Sequence, residues 1–297
     1  MLKLIASDMD GTLLNDRMTV SDANIAAIER ANEAGVEFVV ATGRGLSEAQ
    51  PLVSGLKVKP AFITLNGARV FSENGELLVD LPIPRELITG VRKDLEAQGF
   101  YYELVTDRGI FSESKVRRIQ NVADLLTRLN PDTSFKIAVV LASARLELMD
   151  IHYVDTFDSL LLDPTVEVLK ILVFDARGQS AFADIRAKYG EDHGVVITSS
   201  SDNNIEINNI EAQKGLALTR LARMRGYDIA DVMAIGDNLN DRSMIEAAGI
   251  GVAMGNAIPE IRQIATHITG TNIQDGVAQA IDWGLSQKDR RRTKERS

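Results

Sequence analysis

The chain has 297 residues, of which 45% are hydrophobic and 25% are charged, and its formal net charge is −9. These values are ordinary for a globular protein of roughly two domains. The acidic balance argues against nucleic acid or a membrane surface as a partner, because both require a basic footprint. The absence of cysteine excludes disulfides, thiolate catalysis and cysteine-ligated metals. No apolar run reaches 18 residues and the N-terminus lacks a signal-peptide pattern, so we expect a cytoplasmic protein.

Strands and helices alternate in the first part of the chain. The apolar run at residues 2–6 predicts a buried strand, and apolar residues at helical spacing predict a helix over 22–34. Ser21 is a plausible N-cap of that helix, and Gly35 marks its end. The alternation continues with a strand at 36–41, a helix at about 46–56 and a strand at 61–65. Such alternation indicates a parallel sheet with right-handed crossovers.

The middle of the chain follows a different pattern. Asn74-Gly75 predicts a hairpin turn, and Pro82 and Pro84 mark a linker. Beyond the linker, strands and helices interleave less regularly, as in an α+β module. The predicted helices lie at 85–98 and 115–129, and the predicted strands at 101–106, 109–112, 168–174, 195–199 and 204–208. We therefore predict a domain of residues 83–210 inserted into a domain made of residues 1–82 and 211–297.

The alternation of helix and strand returns at residue 214. The predicted elements are a helix at 214–225, a strand at 232–235, a helix at 242–248, a strand at 251–254, a helix from residue 259 and a last helix near 275–283. The last residues, 287–297, are rich in Lys and Arg, and we expect a disordered, solvated tail there. The predicted fold class is thus α/β, with a Rossmann-like doubly wound parallel sheet as the core and an inserted α+β domain.

Four polar clusters follow strands of the predicted core or begin one of its helices. The carboxyl ends of parallel strands share one edge of the sheet, so these clusters should converge there. Asp8 and Asp10 are one residue apart, and two such carboxylates repel each other unless a cation or a shared proton compensates. Mg²⁺, a hard cation that prefers oxygen ligands and accompanies phosphate, suits this pair. The clusters are Asp8/Asp10/Thr12, Thr42-Gly43-Arg44, Lys214-Gly215 and Asp237-Asn238-Leu239-Asn240-Asp241.

In this order, the clusters resemble the four signature motifs of the haloacid dehalogenase (HAD) superfamily. The inserted domain resembles the cap of its Cof-type phosphatases, subfamily IIB with a C2B cap, and the resemblance covers nearly the whole chain. It implies a Mg²⁺-dependent phosphomonoester hydrolase that works through an aspartyl phosphate. The implied substrate is a small phosphorylated metabolite of the cytosol, such as a sugar phosphate or a flavin or riboflavin-precursor phosphate. We expect a monomer or homodimer without nucleic-acid or membrane partners.

The resemblance also implies a role for each polar residue. Asp8 would be the nucleophile, Asp10 the general acid and then base, and Lys214 a partner of both the nucleophile and the phosphate. Asp8 and Asp237 would bind the metal together with Asp10, through its backbone carbonyl. The phosphate would be held by Met9 through its N–H, Thr42, Gly43, Arg44, Lys214 and Asn240, with support from Thr12, Asp241, Asn66 and Glu206.

Plainer interpretations of several of these residues stay open. Asp10 would serve only as a second metal ligand, and Asp241 only as an acid favoured by a helix N-terminus. Arg44 would form an interdomain salt bridge, and Asn66 would belong to a simple turn. Glu206 lies on an alternating strand, whose polar face explains it almost as well as a substrate contact.

Two other functions share these motifs. A phosphomutase of the phosphomannomutase type would use the same nucleophile and acid but return the phosphoryl group to its substrate. A phosphate-binding regulator without turnover would keep the aspartyl phosphate, yet it has no need of a leaving-group acid such as Asp10. The histidines His152, His193 and His267 lack ligand spacing, and we expect each to be a surface or packed residue.

Overall fold

A computed structural model describes residues 1–146, 151–190 and 193–295 of the chain. The chain divides into two compact units, one formed by Met1–Leu81 with Glu211–Ser297 and the other by Pro82–Ile210. The second unit begins at the proline-containing linker, where the sequence pattern changes.

The described residues contain fourteen strands and eleven α-helices. The strands are β1 (Leu4–Ser7), β2 (Glu37–Ala41), β3 (Ala61–Thr64), β4 (Arg69–Phe71), β5 (Leu77–Asp80), β6 (Tyr101–Thr106), β7 (Gly109–Ser112), β8 (Ile151–Tyr153), β9 (Val168–Phe174), β10 (Val195–Thr198), β11 (Asn204–Asn209), β12 (Val232–Gly236), β13 (Ile250–Ala253) and β14 (His267–Ile268). The helices are α1 (Asp22–Glu33), α2 (Leu46–Ala49), α3 (Arg85–Ala97), α4 (Lys115–Leu129), α5 (Phe135–Leu146), α6 (Phe157–Leu161), α7 (Ala183–Lys188), α8 (Lys214–Met224), α9 (Arg242–Ala247), α10 (Pro259–Ile264) and α11 (Gly276–Glu295).

The first unit is built on a sheet with the strand order β14-β13-β12-β1-β2-β3-β4-β5. The strands from β14 to β3 are parallel, and β4 and β5 add an antiparallel edge. β1 lies between β2 and β12. The strands that follow β1 directly in the chain extend the sheet on one side of it, and the strands from β12 onward extend it on the other side. This confirms the predicted doubly wound α/β fold. In such sheets, ligands bind beyond the carboxyl end of the strand at which the order reverses.

Local sequence signals determine where several elements of this unit begin and end. The hydroxyl of Ser21 accepts the N–H of Asn24 at 3.2 Å and caps α1, as predicted. Gly35 follows the helix with a φ of 72°, which glycine adopts without steric cost. The helix predicted over 46–56 is wrong in its extent, because α2 ends at Ala49 and a 3₁₀ turn follows. Pro51 in that turn has no N–H with which to continue an α-helix.

The second unit contains a sheet with the order β10-β11-β9-β6-β7-β8, antiparallel except for the β7–β8 pair. One face of the sheet packs on α3 and α7 through apolar side chains that include Ile88, Val91, Leu95 and Ile185. α4 and α5 pack on each other through three alanines, Ala123, Ala138 and Ala142.

Sequence periodicity predicted the regular elements of this unit better than the others. The predicted bounds of β6, β7, α4 and β9 are confirmed to the residue. The predictions omitted β8 and α5–α7, as well as β14 in the first unit. Apolar residues of α5 occupy exposed as well as buried positions, such as Ile137 and Val140 beside Ala138 and Ala142, so the helix lacks the single apolar stripe that marks a half-buried helix.

The last helix continues into the segment expected to be a disordered tail. α11 extends to Glu295 and so includes most of the segment for which the sequence predicts a disordered tail, an expectation that stays a prediction. This stretch lacks Pro and Gly, and a basic last turn is favourable at a helix C-terminus. Among residues 1–146, 151–190 and 193–295, no helix combines the length and hydropathy needed to cross a bilayer.

Candidate active site

The loop after β1 lies at the point of strand reversal. The N–H of Asp8 donates to the carbonyl of Ile235 in β12 at 2.9 Å, which joins the ends of the two strands. Gly11 adopts a φ of 80°, and a Cβ at this position would lie 2.5 Å from Oδ2 of Asp237. Glycine is therefore required twice here, for its backbone conformation and for the close approach of the two loops.

Lys214 lies at the centre of the site. Its Nζ donates to Oδ1 of Asp8 at 2.6 Å and to Oδ1 of Asp241 at 2.6 Å. All three side chains are buried. α8 begins at Lys214, where the N–H of Gly215 donates to Oγ of Ser243 at 3.0 Å, so the start of α8 is fastened to α9. Three separate segments thus converge on one buried ammonium group.

Asp237 and Asp241 have different surroundings. Oδ2 of Asp241 accepts the N–H groups of Asp237 at 2.8 Å and Asn238 at 3.1 Å, which fixes the loop after β12. Oδ1 of Asp237 accepts the hydroxyl of Thr12 at 2.9 Å. Asp8, Asp237 and Asp241 each offer a carboxylate oxygen, and these oxygens lie within 4.8 Å of one another, close enough to share a metal ion.

Burial and mutual repulsion shift the ionisation of this group. Burial, followed by the charge of Asp241, raises the pKa of Asp8 well above its usual value. The same two causes raise the pKa of Asp237 to about 7. Burial acts to lower the pKa of Lys214, but the charges of Asp241 and Asp8 outweigh it and raise that pKa. Asp8 and Asp237 therefore resist ionisation unless further positive charge is present.

Asp10 pairs with Arg44. The guanidinium donates to both oxygens of the Asp10 carboxylate, at 2.7 Å from Nε and 2.6 Å from the terminal nitrogen. This pair is partly exposed, and its hydrogen bond raises the pKa of Arg44. The hydroxyl of Thr42 accepts the N–H of Arg44 at 3.1 Å and orders the loop after β2. Because Arg44 pairs within the first unit, the interdomain interpretation is not needed to explain it.

Asn66 belongs to a strained turn after β3. Leu65 and Asn66 have φ values of 51° and 60°, which are uncommon for residues other than glycine. The N–H of Leu65 donates to the carbonyl of Arg44, and the N–H of Asn66 donates to that of Thr42, both at 3.0 Å. Oδ1 of Asn66 accepts Nδ2 of the buried Asn240 at 3.4 Å. The turn thus supports the loop that carries Thr42 and Arg44.

The remaining predicted site residues have the following positions. The side chain of Met9 packs in the core of the first unit, and its carbonyl accepts the N–H of Leu14. Gly43 lies in the loop between Thr42 and Arg44. Glu206 lies on β11 of the second unit, where it is buried, pairs with Lys170 at 3.6 Å and accepts the hydroxyl of Ser200 at 2.9 Å. The three histidines pack against aromatic rings, as the stacking of His267 on Trp283 illustrates.

Comparison with known proteins identifies the family. A family model described as haloacid dehalogenase-like hydrolase matches residues 5–281. The chain belongs to this family, and the resemblance predicted from the motifs is confirmed. It is accordingly an enzyme of the hydrolase class.

Individual relatives agree with this assignment. The chain is 34% identical over 279 residues to phosphatase YwpJ of Bacillus subtilis (strain 168), covering 93% of this chain and 98% of the relative. It is 36% identical over 280 residues to the 5-amino-6-(5-phospho-D-ribitylamino)uracil phosphatase YcsE of the same strain, covering 94% of both. A solved structure of a haloacid dehalogenase-like hydrolase from B. subtilis matches with a TM-score of 0.84 and 32% identity, covering 95% of this chain and 99% of that one.

Proposed function

We propose that this enzyme is a Mg²⁺-dependent phosphatase of small phosphorylated metabolites that forms an aspartyl phosphate on Asp8. The observation that carries the proposal is the buried carboxylate of Asp8, held by Lys214 beside Asp237. The relatives named as phosphatases support the substrate class, which includes sugar phosphates and flavin or riboflavin-precursor phosphates. Catalysis by the first unit and substrate selection by the second, with Glu206 as a candidate contact, are part of the proposal, as are a cytoplasmic location and a monomer or homodimer.

The residues of the site fit a divalent cation. Four carboxylates, those of Asp8, Asp10, Asp237 and Asp241, lie near two cationic side chains, so the group would carry two more negative than positive charges when all four are ionised. Hard carboxylate oxygens are the ligands that Mg²⁺ prefers. Asp8, Asp237 and the backbone carbonyl of Asp10 would hold the ion, while Asp241 fixes Lys214 and the loop of Asp237. When bound, Mg²⁺ supplies positive charge that offsets the repulsion between the carboxylate and the phosphate.

Asp8 would carry out the first displacement. One of its oxygens forms a bond to phosphorus as the bond from phosphorus to the alcohol oxygen breaks, which leaves an aspartyl phosphate and a leaving alcohol. Lys214 holds the attacking carboxylate in place and adds positive charge where negative charge accumulates. A water molecule then attacks the same phosphorus, and inorganic phosphate and the free carboxylate of Asp8 are released.

Asp10 would move the protons in both steps. It gives its proton to the leaving oxygen in the first displacement and takes one from the attacking water in the second. In the structure, both oxygens of Asp10 are engaged by hydrogen bonds from Arg44. We propose that Arg44 releases Asp10 and binds the phosphate of the substrate instead, which leaves Asp10 able to carry a proton.

The phosphoryl oxygens would be bound by groups around the end of β1. Thr42 and the N–H of Gly43 lie in the loop after β2, and Asn240 lies in the turn after β12. The N–H of Met9 completes the set, together with the ammonium group of Lys214. Donors fixed in place before the substrate arrives stabilise the transition state without reorganisation.

Phosphate release from a panel of small phosphate esters, with Mg²⁺ and with chelator, tests the proposal. We expect release that depends on Mg²⁺, and Asp8→Asn should abolish it. Asp16→Asn, at an exposed position in the following loop, is the matched control and should retain activity. Absence of phosphate release from every ester, with Asp8→Asn indistinguishable from the wild type, would refute the proposal.

The same assay separates the other two functions. Isomerised substrate without free phosphate, in the presence of a bisphosphate activator, would indicate a phosphomutase. A stable phosphorylated Asp8 that outlasts the assay would indicate a regulator without turnover. Either result contradicts the proposed hydrolase.

A further inference from the structure

Three asparagines hold the loop that joins the predicted nucleophile to α1. Nδ2 of Asn256 donates to the carbonyl of Gly11 at 2.8 Å, and Nδ2 of Asn272 donates to that of Leu14 at 2.9 Å. Nδ2 of Asn24 donates to the carbonyl of Leu13 at 3.4 Å. Three of the four carbonyls between residues 11 and 14 are thus bound by side-chain amides. We call these residues (Asn24, Asn256 and Asn272) the asparagine clamp.

The amide oxygens of Asn24 and Asn256 accept hydrogen bonds from the last part of the chain. Oδ1 of Asn256 accepts the N–H of Asn272 at 3.0 Å. Oδ1 of Asn24, which is buried in α1, accepts the N–H of Ala278 in α11 at 2.9 Å. A carboxamide both donates and accepts, so one side chain can join two backbone segments whose own polar groups do not meet. The clamp fastens the loop to residues 272–278.

The clamped loop carries groups on which the proposed chemistry depends. Gly11 follows Asp10, whose carboxylate and carbonyl belong to the predicted machinery. Thr12, between the clamped carbonyls, donates to Asp237. A shift of the loop would therefore displace Asp10 and the support of Asp237 together. Displacements of about 1 Å at a reacting group can lower a rate by about 100-fold.

We infer that Asn256, with Asn272 and Asn24, positions Asp10 and Thr12 for catalysis. None of the three belongs to the four motifs, and none touches Asp8, Lys214 or Asp241 through a hydrogen bond recorded among the described residues. The clamp acts on the loop through its carbonyls, so it should affect turnover more than substrate binding. This inference rests on the proposed phosphatase function.

Two substitutions of Asn256 separate positioning from space filling. Asn256→Asp keeps the size and the acceptor but loses the donor, and it places a carboxylate against the Gly11 carbonyl. Asn256→Ala loses both without adding charge. If the donor positions the loop, both variants should lower kcat by about tenfold or more and leave KM within about threefold. Asn32→Asp, at an exposed position of α1, should leave both constants unchanged.

A second measurement does not depend on turnover. The increase in melting temperature with Mg²⁺ concentration gives the affinity for the metal, and both Asn256 variants should bind Mg²⁺ several-fold more weakly. Normal kcat in both variants, with active wild-type protein, would overturn the inference alone. A loss confined to Asn256→Asp would also overturn it, because it would indicate a charge effect, and so would a loss confined to Asn256→Ala, because it would indicate space filling. Inactive wild-type protein would contradict the proposed function. If the Mg²⁺ affinity of the variants were also unchanged in that case, the positioning role of the asparagine clamp would be refuted as well.

Asn272→Ala provides an independent check of the same loop. It removes the donor to Leu14 and leaves the backbone N–H of residue 272 available to Asn256. We expect the same division between kcat and KM as for Asn256→Ala. An increase in KM with unchanged kcat would overturn the inference, because it would indicate a substrate contact.

Discussion

Replacing Lys214 by methionine tests the electrostatic core of the site most directly. Methionine keeps an unbranched side chain of similar length but removes the ammonium group. The two carboxylates that this group binds, Asp8 and Asp241, are buried and lose their shared cation. A buried charge that loses its partner destabilises a protein by about 3–5 kcal/mol. We expect Lys214→Met to lower the free energy of unfolding of the first unit by this amount near pH 7.5, and to lower kcat by at least about 100-fold.

The stability loss should depend on pH, with a sign fixed by the carboxyl groups. Burial already raises the pKa of Asp8, and removal of Lys214 raises it further. A carboxyl whose pKa is higher in the folded than in the unfolded protein binds a proton on folding, so stability falls as pH rises above the unfolded pKa of about 4. The slope is about 1.4 kcal/mol for each pH unit and each titrating group. The variant should therefore recover much of the loss at pH 5.

Fluorescence of the single tryptophan provides the assay. Trp283 lies in α11 of the first unit and stacks on His267, so its emission reports unfolding of that unit. Denaturant titrations at pH 5 and pH 7.5, without Mg²⁺, would be compared with those of Lys57→Met. Lys57 is an exposed lysine whose Nζ lies 3.0 Å from Glu29, and its loss should cost less than about 1 kcal/mol at both pH values. Equal losses for Lys214→Met at both pH values would refute the electrostatic argument.

Three further perturbations test neighbouring parts of the site. Because the pKa of Asp237 is raised to about 7, protons compete with the cation for its carboxylate. The Mg²⁺ concentration that gives a half-maximal rise in melting temperature should therefore fall about tenfold from pH 6 to pH 8 and level off above pH 8, and a flat profile would contradict this. Lysine cannot form two parallel hydrogen bonds to a carboxylate or phosphate, so Arg44→Lys should lower kcat/KM by about 10-fold or more. The control is Arg30→Lys, which replaces the arginine of a surface pair with Asp282 and should leave kcat/KM unchanged in the same assay. Gly11→Ala should abolish measurable phosphate release, because the added Cβ would clash with Asp237. Gly75 has a similar φ of 82° but lies in open space, so Gly75→Ala should retain activity and lower the free energy of unfolding in a denaturant titration by only about 1–2 kcal/mol.

The fold could be predicted as far as it depends on local patterns. Buried runs and helical spacing predicted the parallel core and the inserted module, because burial imposes a period on each element separately. The position of β1 between β2 and β12 depends on pairing between residues more than two hundred positions apart, as in the contact of Leu4 with Val232. No local pattern encodes that pairing, so the sequence predicted the sheet without its strand order.

The convergence of polar residues at the end of β1 could be predicted from their types and positions, whereas their individual contacts could not. Carboxylates, a lysine and glycines that follow buried strands indicate chemistry at one edge of the sheet. This inference does not depend on the rotamer that each side chain adopts. The bidentate pair of Arg44 with Asp10 was not predicted. The motifs assign each residue a separate role toward the substrate, and neither role requires contact with the other residue. For Glu206, the sequence could not reveal the buried partner Lys170, which comes from a neighbouring strand.

The asparagine clamp shows why supporting residues are the hardest part of a site to predict. A nucleophile must have a particular chemistry, so Asp8 is recognisable from its type and its neighbours. Asn256 binds only backbone groups, which every residue possesses. Neither the identity of its partners nor its spacing from them therefore produces a recognisable sequence pattern. Asn24 offers one signal, since a buried amide on a helix face otherwise formed by Ala27, Ile28 and Ala31 must be satisfied by specific partners. Residues that support a catalytic loop should therefore be sought among buried carboxamides at positions where an aliphatic residue would pack as well.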